Sequence, residues 1–164
     1  MPETIRYRLA TEEDCLALAR LKRQVWNTTY RGIYPDATLD GYDVEKNRLI
    51  LQTIVASPEI DLYMAEHGER PIALMTCGKP FRPVEPYRQE VGMLYVLREY
   101  QRQGVGKQLL SIAAEQARSR GIDAYVVSVN RLNLPAIAFY RALGGQLIHE
   151  DERQLRFAMD ATLR

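Results

Sequence analysis

The sequence predicts a mixed α/β domain, and two patterns in its 164 residues support this fold class. Short runs of β-branched and aromatic residues, typical of strands, alternate with longer stretches whose apolar residues recur at helical spacing. The elements follow in the order β, α, α, β, β, β, α, β, α, β, β, without a repeat, a low-complexity segment or a linker. Chains of this length usually fold as one unit, so we expect residues 1–164 to form a single domain.

Local signals place each element along the chain. Prolines and glycines mark the turns, and Gly121 and Gly144 end two helices. The first half is expected to contain a strand at residues 4–9, a helix that begins at Thr11 or Asp14, a helix at residues 44–56, and a hairpin with strands at 60–66 and 71–76. The second half is expected to contain a strand from Glu90, a helix at 104–120, a strand at 124–129, a helix after Asn133, and strands at 146–149 and 154–159.

The most informative segment begins at Glu90 and reads EVGMLYVLREYQRQGVGKQLL. Its two later glycines, Gly104 and Gly106, remove Cβ atoms where the backbone must turn, so that several N–H groups can converge on one anion. The helix that follows adds the positive end of its dipole, and its first turn contains Lys107 and no Asp or Glu. These features indicate a phosphate-binding loop.

Spacing separates the kinds of phosphate loop. A Walker A loop requires Gly-Lys followed by Ser or Thr, whereas Lys107 is followed by Gln108. A dinucleotide-binding G-x-G-x-x-G pattern requires glycine where Leu109 stands. What remains is Q-x-x-G-x-G between a strand and a helix. The alternative to a phosphate site is a glycine-containing turn that binds no ligand.

A second informative segment begins at residue 124 and reads AYVVSVNRLNLPAIAFYRALGG. Its first six residues suit a buried strand. Asn133 can cap the helix that follows, with Pro135 tolerated in the first turn. The apolar residues of this helix recur at helical spacing, at Ala136, Phe139, Tyr140 and Leu143.

Together the two segments resemble the GNAT superfamily of N-acetyltransferases. The pattern at residues 101–106 is similar to the acyl-CoA-binding motif of that family. The family's second motif is matched in order by Asn133, Ala136, Phe139, Tyr140 and Gly144, with a departure at Gly145, where the family has an aromatic or apolar residue. The resemblance covers nearly the whole chain. It implies a mixed, mostly antiparallel sheet of about seven strands, splayed between its two central strands, with about four helices.

The resemblance also implies an activity, the transfer of an acetyl group from acetyl-CoA to a primary amine by direct attack in a ternary complex. Loop amides would hold the CoA pyrophosphate, and main-chain groups of the preceding strand would face the pantetheine. The expected acetyl-CoA-binding residues are Leu94, Tyr95, Val96, Gln101, Arg102, Gln103, Gly104, Val105, Gly106, Lys107 and Asn133. Two alternatives stay open: a non-catalytic acyl-CoA-binding or regulatory module, and an enzyme that acetylates a protein or peptide N-terminus.

Two residues are candidates for the proton transfers that the resemblance implies. Glu90 occupies the strand position at which several GNAT enzymes carry an acidic base, although a solvated carboxylate at a strand start is the alternative. Tyr140 matches the family tyrosine that returns a proton to the departing thiolate. The alternative for Tyr140 is a packing role, since it shares the apolar face of its helix.

The region that binds the amine is less well defined. WNTTYRGIYP, which begins at Trp26, resembles a W-x-x-T-Y-x-G-x-x-P segment in one group of GNAT proteins, and in this fold the region walls the acceptor pocket. Trp26, Tyr30 and Tyr34 are therefore candidate substrate-binding residues. Nearby acids either help to hold a cation or cap and solvate the second helix: Asp36, Asp40, Asp43 and Glu45. The loop at residues 78–89 is the other candidate wall.

The resemblance implies a small-molecule amine as the acceptor, and composition argues against nucleic acid and a membrane as partners. A formal net charge of +1 gives no electrostatic case for nucleic acid, and no apolar run reaches the roughly 20 residues that span a bilayer. The two cysteines have neither metal-ligand spacing nor a disulfide framework, so we expect no metal. The polar N-terminus has no secretory apolar region, which makes the cytoplasm the expected location. A homodimer is one option for the assembly.

Overall fold

Seven strands and five α-helices make up residues 4–162, the part of the chain that the computed structural model describes. The strands are β1 (Ile5–Leu9), β2 (Ile60–His67), β3 (Arg70–Gly78), β4 (Glu90–Val96), β5 (Ala124–Asn130), β6 (Gln146–Glu150) and β7 (Gln154–Asp160). The helices are α1 (Cys15–Tyr30), α2 (Asp36–Asp40), α3 (Val44–Ala56), α4 (Val105–Ser119) and α5 (Leu134–Ala142). None of these helices is long and apolar enough to cross a membrane.

The strands form one sheet in the order β1-β2-β3-β4-β5-β7-β6. β4 and β5 are parallel, with Glu90 opposite Val126, and α4 lies in the crossover connection that a parallel pair requires. The β1–β2, β5–β7 and β6–β7 pairs are antiparallel. This mixed sheet confirms the fold class predicted from the sequence.

Within the described residues the chain divides into two compact units, each with its own buried apolar side chains. Unit 1 takes residues 4–76 and 94–109, and unit 2 takes residues 77–93 and 110–162. In unit 1 the helices α1 and α3 bury Leu18 and Leu51. In unit 2 the strands β5 and β7 bury Val127 and Phe157 completely. The expectation of a single domain over residues 1–164 stays a prediction.

A cluster of ion pairs in unit 1 holds the chain just before α1. Arg8 on β1 donates to Asp14 Oδ2 at 2.8 Å and to Glu66 Oε1 on β2 at 3.1 Å. The Asp14 carboxylate also accepts the backbone N–H of Thr11 at 2.8 Å, which is a capping interaction. Hydrogen bonding from Arg8 is the main reason that the pKa of Asp14 falls to about 2. The predicted helix start is confirmed, with a 3-10 turn at Glu12–Asp14 ahead of α1.

Helix α3 follows its sequence signals closely, whereas α2 is not anticipated by them. α3 spans the predicted residues 44–56, and Asp43 caps it by accepting the Lys46 N–H at 2.9 Å. α2 has only five residues, too few for apolar side chains to repeat at helical spacing. The difference lies in the connection between α1 and α3, and the order of the predicted elements is unchanged.

Candidate active site

The loop between β4 and α4 belongs to unit 1 and turns through two left-handed positions. A 3-10 turn at Arg98–Tyr100 comes first, and then Arg102 has φ 62° and Gly104 has φ 85°. A Cβ added at Gly104 would meet no atom within 4 Å, so this part of the loop is open. Gly106 lies inside the first turn of α4, within the helix predicted at 104–120, and its part in binding acetyl-CoA stays a prediction. The other left-handed position, Arg102, carries a side chain and adopts this conformation at some cost.

The start of α4 offers backbone donors that the helix itself does not use. The bond from Gln108 N to Gly104 O, at 2.9 Å, is the first of the i to i−4 series. The N–H groups of Val105, Gly106 and Lys107 come before it, and the first amides of a helix have no acceptor within the helix. The first turn, which the structure describes in full, contains no Asp or Glu. This arrangement suits an anion such as a pyrophosphate.

Two glutamine side chains hold the loop in place. Gln101 Nε2 donates to the carbonyl oxygen of Val96 at 3.0 Å, and Gln103 Nε2 donates to the carbonyl oxygen of Glu99 at 2.7 Å. The Val96 carbonyl, which the sequence predicts to face a ligand, therefore already accepts one hydrogen bond inside the chain. These two side chains thus connect the loop to the end of β4 and to the 3-10 turn.

The predicted substrate-binding aromatics lie together in unit 1. The ring centroids of Trp26 and Tyr30 are 5.2 Å apart, and those of Tyr30 and Tyr34 are 4.9 Å apart. Trp26 Nε1 donates to the hydroxyl of Tyr95 at 3.3 Å, so a predicted acetyl-CoA-binding residue joins the same group. We call Trp26, Tyr30, Tyr34 and Tyr95 the aromatic cluster.

The acidic residues near the aromatic cluster have partners of their own. The partners are Arg31 for Asp36 and Asp40, the Lys46 amide for Asp43, and Arg48 for Glu45. One charged group that contacts the cluster is Lys22, whose Nζ lies 5.8 Å from the Tyr95 ring centroid and donates to Asn47 at 3.0 Å. Burial lowers the pKa of Lys22. These contacts favour structural roles for the acids over cation binding: Asp43 caps α3, and the other three pair with arginines.

Glu90 begins β4 in unit 2 and is only 4% exposed. Ser128 Oγ on β5 donates to Glu90 Oε2 at 2.8 Å, and the backbone N–H of Phe81 donates to Oε1 at 3.2 Å. A carboxylate solvated at a strand start, the alternative in the sequence, does not describe this buried group. One donor lies on each oxygen, so the orientation of the carboxylate is set by its surroundings.

A cavity of about 210 Å³ opens beside Glu90 and is lined only by unit 2 residues. Arg156 on β7 lines it, stands opposite Ser128 in the β5–β7 pairing, and is 7% exposed. In the described part of the chain its Nε has no hydrogen-bond partner. The lining residues are Phe81, Arg82, Glu90, Ser128, Asp151, Arg153, Gln154 and Arg156. Phe81 and Arg82 come from the 78–89 loop that the sequence marks as a candidate wall.

Sequence reasoning misses Ser128 and Arg156. The signal available for each is a polar residue between apolar neighbours within a strand, in VVSV and LRFA. Such a residue is equally compatible with the solvent face of a strand. The pairing of β5 with β7 is what brings these two side chains together with Glu90.

Helix α5 carries the other two predicted residues of unit 2. Asn133 caps it, with Oδ1 accepting the Ala136 N–H at 3.3 Å, so the capping prediction is confirmed. The Tyr140 ring is buried, and its centroid lies 5.4 Å from that of Phe139 and 6.3 Å from that of Phe157. This packing is compatible with either role considered for Tyr140.

The backbone at Gly145 is tightly packed against neighbouring atoms. A Cβ at this position would lie 2.9 Å from Met159 Sδ and 2.9 Å from the Tyr140 carbonyl oxygen. The Gly145 N–H donates to that same carbonyl at 2.9 Å. The departure from the family pattern at Gly145 therefore suits this position, because the close approach leaves no room for a side chain.

Comparison with known proteins decides the family. A family model described as the acetyltransferase (GNAT) family matches residues 23–144. The chain belongs to the GNAT acetyltransferase family. The uncharacterized N-acetyltransferase YuaI of Bacillus subtilis (strain 168) is 29% identical over 154 residues, which cover 90% of this chain and 84% of that protein. Thialysine N-epsilon-acetyltransferase of Mus musculus is 31% identical over 67 residues, 41% of this chain and 39% of that protein.

A solved structure shows how far the GNAT fold is shared. The PaiA N-acetyltransferase of Thermoplasma acidophilum, in complex with coenzyme A, has a TM-score of 0.84. The match covers 96% of this chain and 99% of that chain at 23% sequence identity. Family membership makes this chain an acyl-CoA-dependent N-acetyltransferase. Its place in the group with the W-x-x-T-Y-x-G-x-x-P segment, and the roles of individual residues, stay predictions.

Proposed function

We propose that this GNAT protein transfers the acetyl group of acetyl-CoA to the primary amine of a small molecule, by direct attack in a ternary complex. The observation that carries the proposal is the buried Glu90 carboxylate, held by two donors at the edge of a polar cavity. A primary amine with a pKa near ~10 is mostly protonated at neutral pH, so its attack requires a base. Glu90 takes this proton directly or through water.

Acetyl-CoA supplies the acetyl group as an activated thioester. In unit 1, the proposed pyrophosphate-binding groups are the amides of residues 101–107 and the side chains of Arg102 and Lys107. The open loop at Gly104 and the acid-free first turn of α4 support this assignment. Main-chain groups of Leu94, Tyr95 and Val96 are proposed to contact the pantetheine. In unit 2, Asn133 is proposed to contact the CoA arm, and the coenzyme A in the PaiA complex supports the same ligand here.

Tyr140 is proposed as the proton donor to the departing thiolate. A phenol with a pKa near ~10 can hydrogen-bond a sulfur and release its proton as negative charge develops there. A thiol with a pKa near ~8.5 leaves tolerably well without help, so this contribution is smaller than that of the base.

A small acceptor is supported by the size of the unit 2 cavity. Its volume of about 210 Å³ is below the roughly 300–1,000 Å³ of pockets that take drug-sized ligands. The mouse relative is named for acetylation of thialysine, a small molecule. In unit 1 the aromatics Trp26, Tyr30 and Tyr34 stay candidate substrate-binding residues, as the resemblance implies. Their association in one cluster supports that grouping.

Two measurements test the proposal. Millimolar acetyl-CoA should raise the thermal unfolding temperature, and thiol release should occur with at least one amine from a panel of polyamines, amino acids, aminoglycosides and peptides. No stabilisation by acetyl-CoA contradicts the proposal. Binding without thiol release across the panel favours a non-catalytic module, and release with peptides alone moves the acceptor to protein N-termini.

Location and assembly stay predictions of the sequence. We propose a cytoplasmic protein whose partner is a small-molecule amine, with no nucleic acid, membrane or metal in its reaction. A homodimer remains the option for its assembly. Light scattering coupled to gel filtration measures the mass in solution and decides between monomer and dimer.

A further inference from the structure

The unit 2 cavity contains two buried groups of opposite charge that are not paired with each other. The Glu90 oxygens accept from Ser128 and from the Phe81 amide. The Arg156 guanidinium lines the same cavity, and its Nε has no partner among the described residues. Those residues also contain no ion pair between Glu90 and Arg156. A buried N–H without a partner is costly, and native proteins keep one where something else satisfies it.

Asp151, the acid at the rim of the cavity, interacts with Arg156 electrostatically but makes no hydrogen bond or ion pair with it among the described residues. The Asp151 carboxylate accepts the N–H groups of Arg153 and Gln154 at 2.8 and 2.9 Å. It therefore closes the turn between β6 and β7, and those two hydrogen bonds are the main reason that its pKa is lowered. Arg82 and Arg153 are exposed and positive, like Arg156 itself. Because Arg156 forms no ion pair among the described residues, its guanidinium can pair with a further anion that enters the cavity.

We propose that Arg156 binds a carboxylate carried by the amine acceptor, so that the substrate class is a small amino acid or a closely related amino-carboxylic acid. The inference rests on the proposed function and narrows its acceptor. Arginine presents a planar set of donors that suits a carboxylate, whereas Glu90 suits the ammonium or amine of the same molecule. Glu90, Ser128 and Arg156 stand on the neighbouring strands β4, β5 and β7, so both ends of the acceptor meet one cavity.

The size and charge of the cavity favour this class over the other amines in the panel. A volume of about 210 Å³ corresponds to roughly seven liquid waters, which is enough room for a small amino acid. A polyamine brings two or more cations and no group for Arg156. A phosphate brings a second negative charge close to Glu90, so a carboxylate is the better match.

The wild-type protein tests the inference with matched acceptors. Each common amino acid is compared with its α-amide and with the amine that lacks the carboxylate, and phosphoethanolamine serves as the phosphate arm. Thiol release gives kcat/KM, and calorimetry in the presence of CoA gives affinity without turnover. At least one amino acid should exceed its amide and its decarboxylated amine by about 10- to 100-fold, the range for a lost charge-assisted hydrogen bond. Equal or better use of the uncharged analogues overturns the inference.

Variants test whether Arg156 causes the preference for the amino acid over its amide. Arg156→Met should remove this preference, because KM for the amino acid rises while the amide is used as before. Arg156→Lys should restore part of the preference. Arg120→Gln removes an exposed arginine of the same unit, outside the cavity lining, and should keep the preference. A preference that survives in a folded Arg156→Met protein contradicts the assignment. If Arg156→Met does not fold, Arg156→Lys and the wild-type acceptor series decide whether Arg156 causes the preference for a carboxylate.

The two proposals fail in different ways. No thiol release with any amine removes the proposed function, while calorimetry still reports whether amino acids bind more tightly than their amides. Rapid acetylation of polyamines or simple amines, with no advantage for amino acids, leaves the proposed function standing and removes only the carboxylate site.

Discussion

Glu90 differs from an ordinary strand-start carboxylate in what surrounds it. It is buried, each of its oxygens accepts one hydrogen bond, and it faces a cavity. Glu90→Gln should lower kcat/KM most at low pH, where free amine is scarce, and the loss should shrink as the solution supplies more hydroxide. The measurement is kcat/KM against pH, from neutral to alkaline, for both proteins. Profiles that stay parallel at every pH would argue against a base at this position.

Ser128 offers a milder change at the same site. Ser128→Ala removes the donor to Glu90 Oε2 and leaves the carboxylate in place. Its pH profile should therefore keep the wild-type shape while the acceptor KM or kcat changes. Thermal unfolding of both variants checks that the fold survives, because glutamine at residue 90 puts an amide donor near donors that faced a carboxylate.

The substitution Tyr140→Phe removes only the hydroxyl oxygen, so it distinguishes a role in proton donation from a role in packing. Tyr140→Phe keeps the ring beside Phe139 and Phe157, so stability should change little while kcat falls by about 10²-fold, the lower end for a general acid. Acetyl-CoA affinity should be unchanged. Tyr125→Phe, which removes a phenol from another buried ring of unit 2, is the matched control. Wild-type turnover in Tyr140→Phe, with chemistry rate-limiting, assigns Tyr140 to the core.

Among the elements, the loop before α4 combines two requirements at Gly104, an unusual backbone angle and an open approach. Gly104→Ala should cost roughly 1 kcal/mol of stability through its positive φ. Gly104→Glu adds bulk and negative charge where an anion is expected. Its acetyl-CoA affinity should therefore be at least about tenfold lower than that of Gly104→Ala, which corresponds to about 1.4 kcal/mol. Calorimetry measures both, and Gly121→Ala, also at positive φ in open space, controls for the backbone. Unchanged affinity in the glutamate variant would move the pyrophosphate away from this loop.

The junction between β1 and α1 predicts a dependence of stability on pH. The pKa of Asp14 is lowered from 3.8 to about 2, so the folded state binds fewer protons than the unfolded chain between these values. The stabilisation by Asp14 is complete above its ordinary pKa and is lost as pH falls through about 2. Asp14→Asn should therefore cost about 1 kcal/mol at neutral pH, after allowance for solvent screening, and little near pH 2.

Denaturant unfolding across this acidic range measures the difference between Asp14→Asn and the wild type. Asp123→Asn, at an exposed carboxylate of unit 2, is the control. A cost for Asp14→Asn that does not depend on pH would mean that the residue acts through its capping geometry rather than through its charge.

Local signals account for the elements that the sequence predicts well. Asn133 and Asp43 cap their helices as their residue types suggest, because a cap depends on groups only a few positions apart. Gly145 lies between α5 and β6, and its tight packing involves Met159 on β7, which no local pattern reveals. Arg102 illustrates a second limit, since nothing in its residue type indicates a left-handed conformation.

The contrast between local signals and contacts of distant segments also explains which parts of the site can be predicted from the whole chain. The loop motif and the Phe-Tyr motif are contiguous segments, so their residue types and order can be read directly. The cavity joins residues from the 78–89 loop, β4, β5 and the β6–β7 turn, whose association depends on strand pairing over long sequence separations. Sequence periodicity shows which face of a strand a residue takes, but not which strand becomes its neighbour.

Unfolding of the whole chain tests the single-domain prediction. β3, β4 and α4 each contain residues of both units, so neither unit is a continuous segment. We therefore predict one cooperative transition, with far-ultraviolet circular dichroism and the loss of amide protection in β1 and β7 sharing a midpoint. Two separated midpoints would show that the units unfold independently and that the chain contains more than one domain.

The aromatic cluster has a spectroscopic consequence. Trp26 is the one tryptophan in the sequence, and its indole N–H donates to Tyr95 beside the rings of Tyr30 and Tyr34. Emission excited at the red edge of the protein absorption band therefore comes from a single place, the aromatic cluster. Neighbouring tyrosines transfer excitation energy to this indole. The protein thus carries a built-in fluorescent reporter, and titration with candidate amines can be followed without attaching a dye.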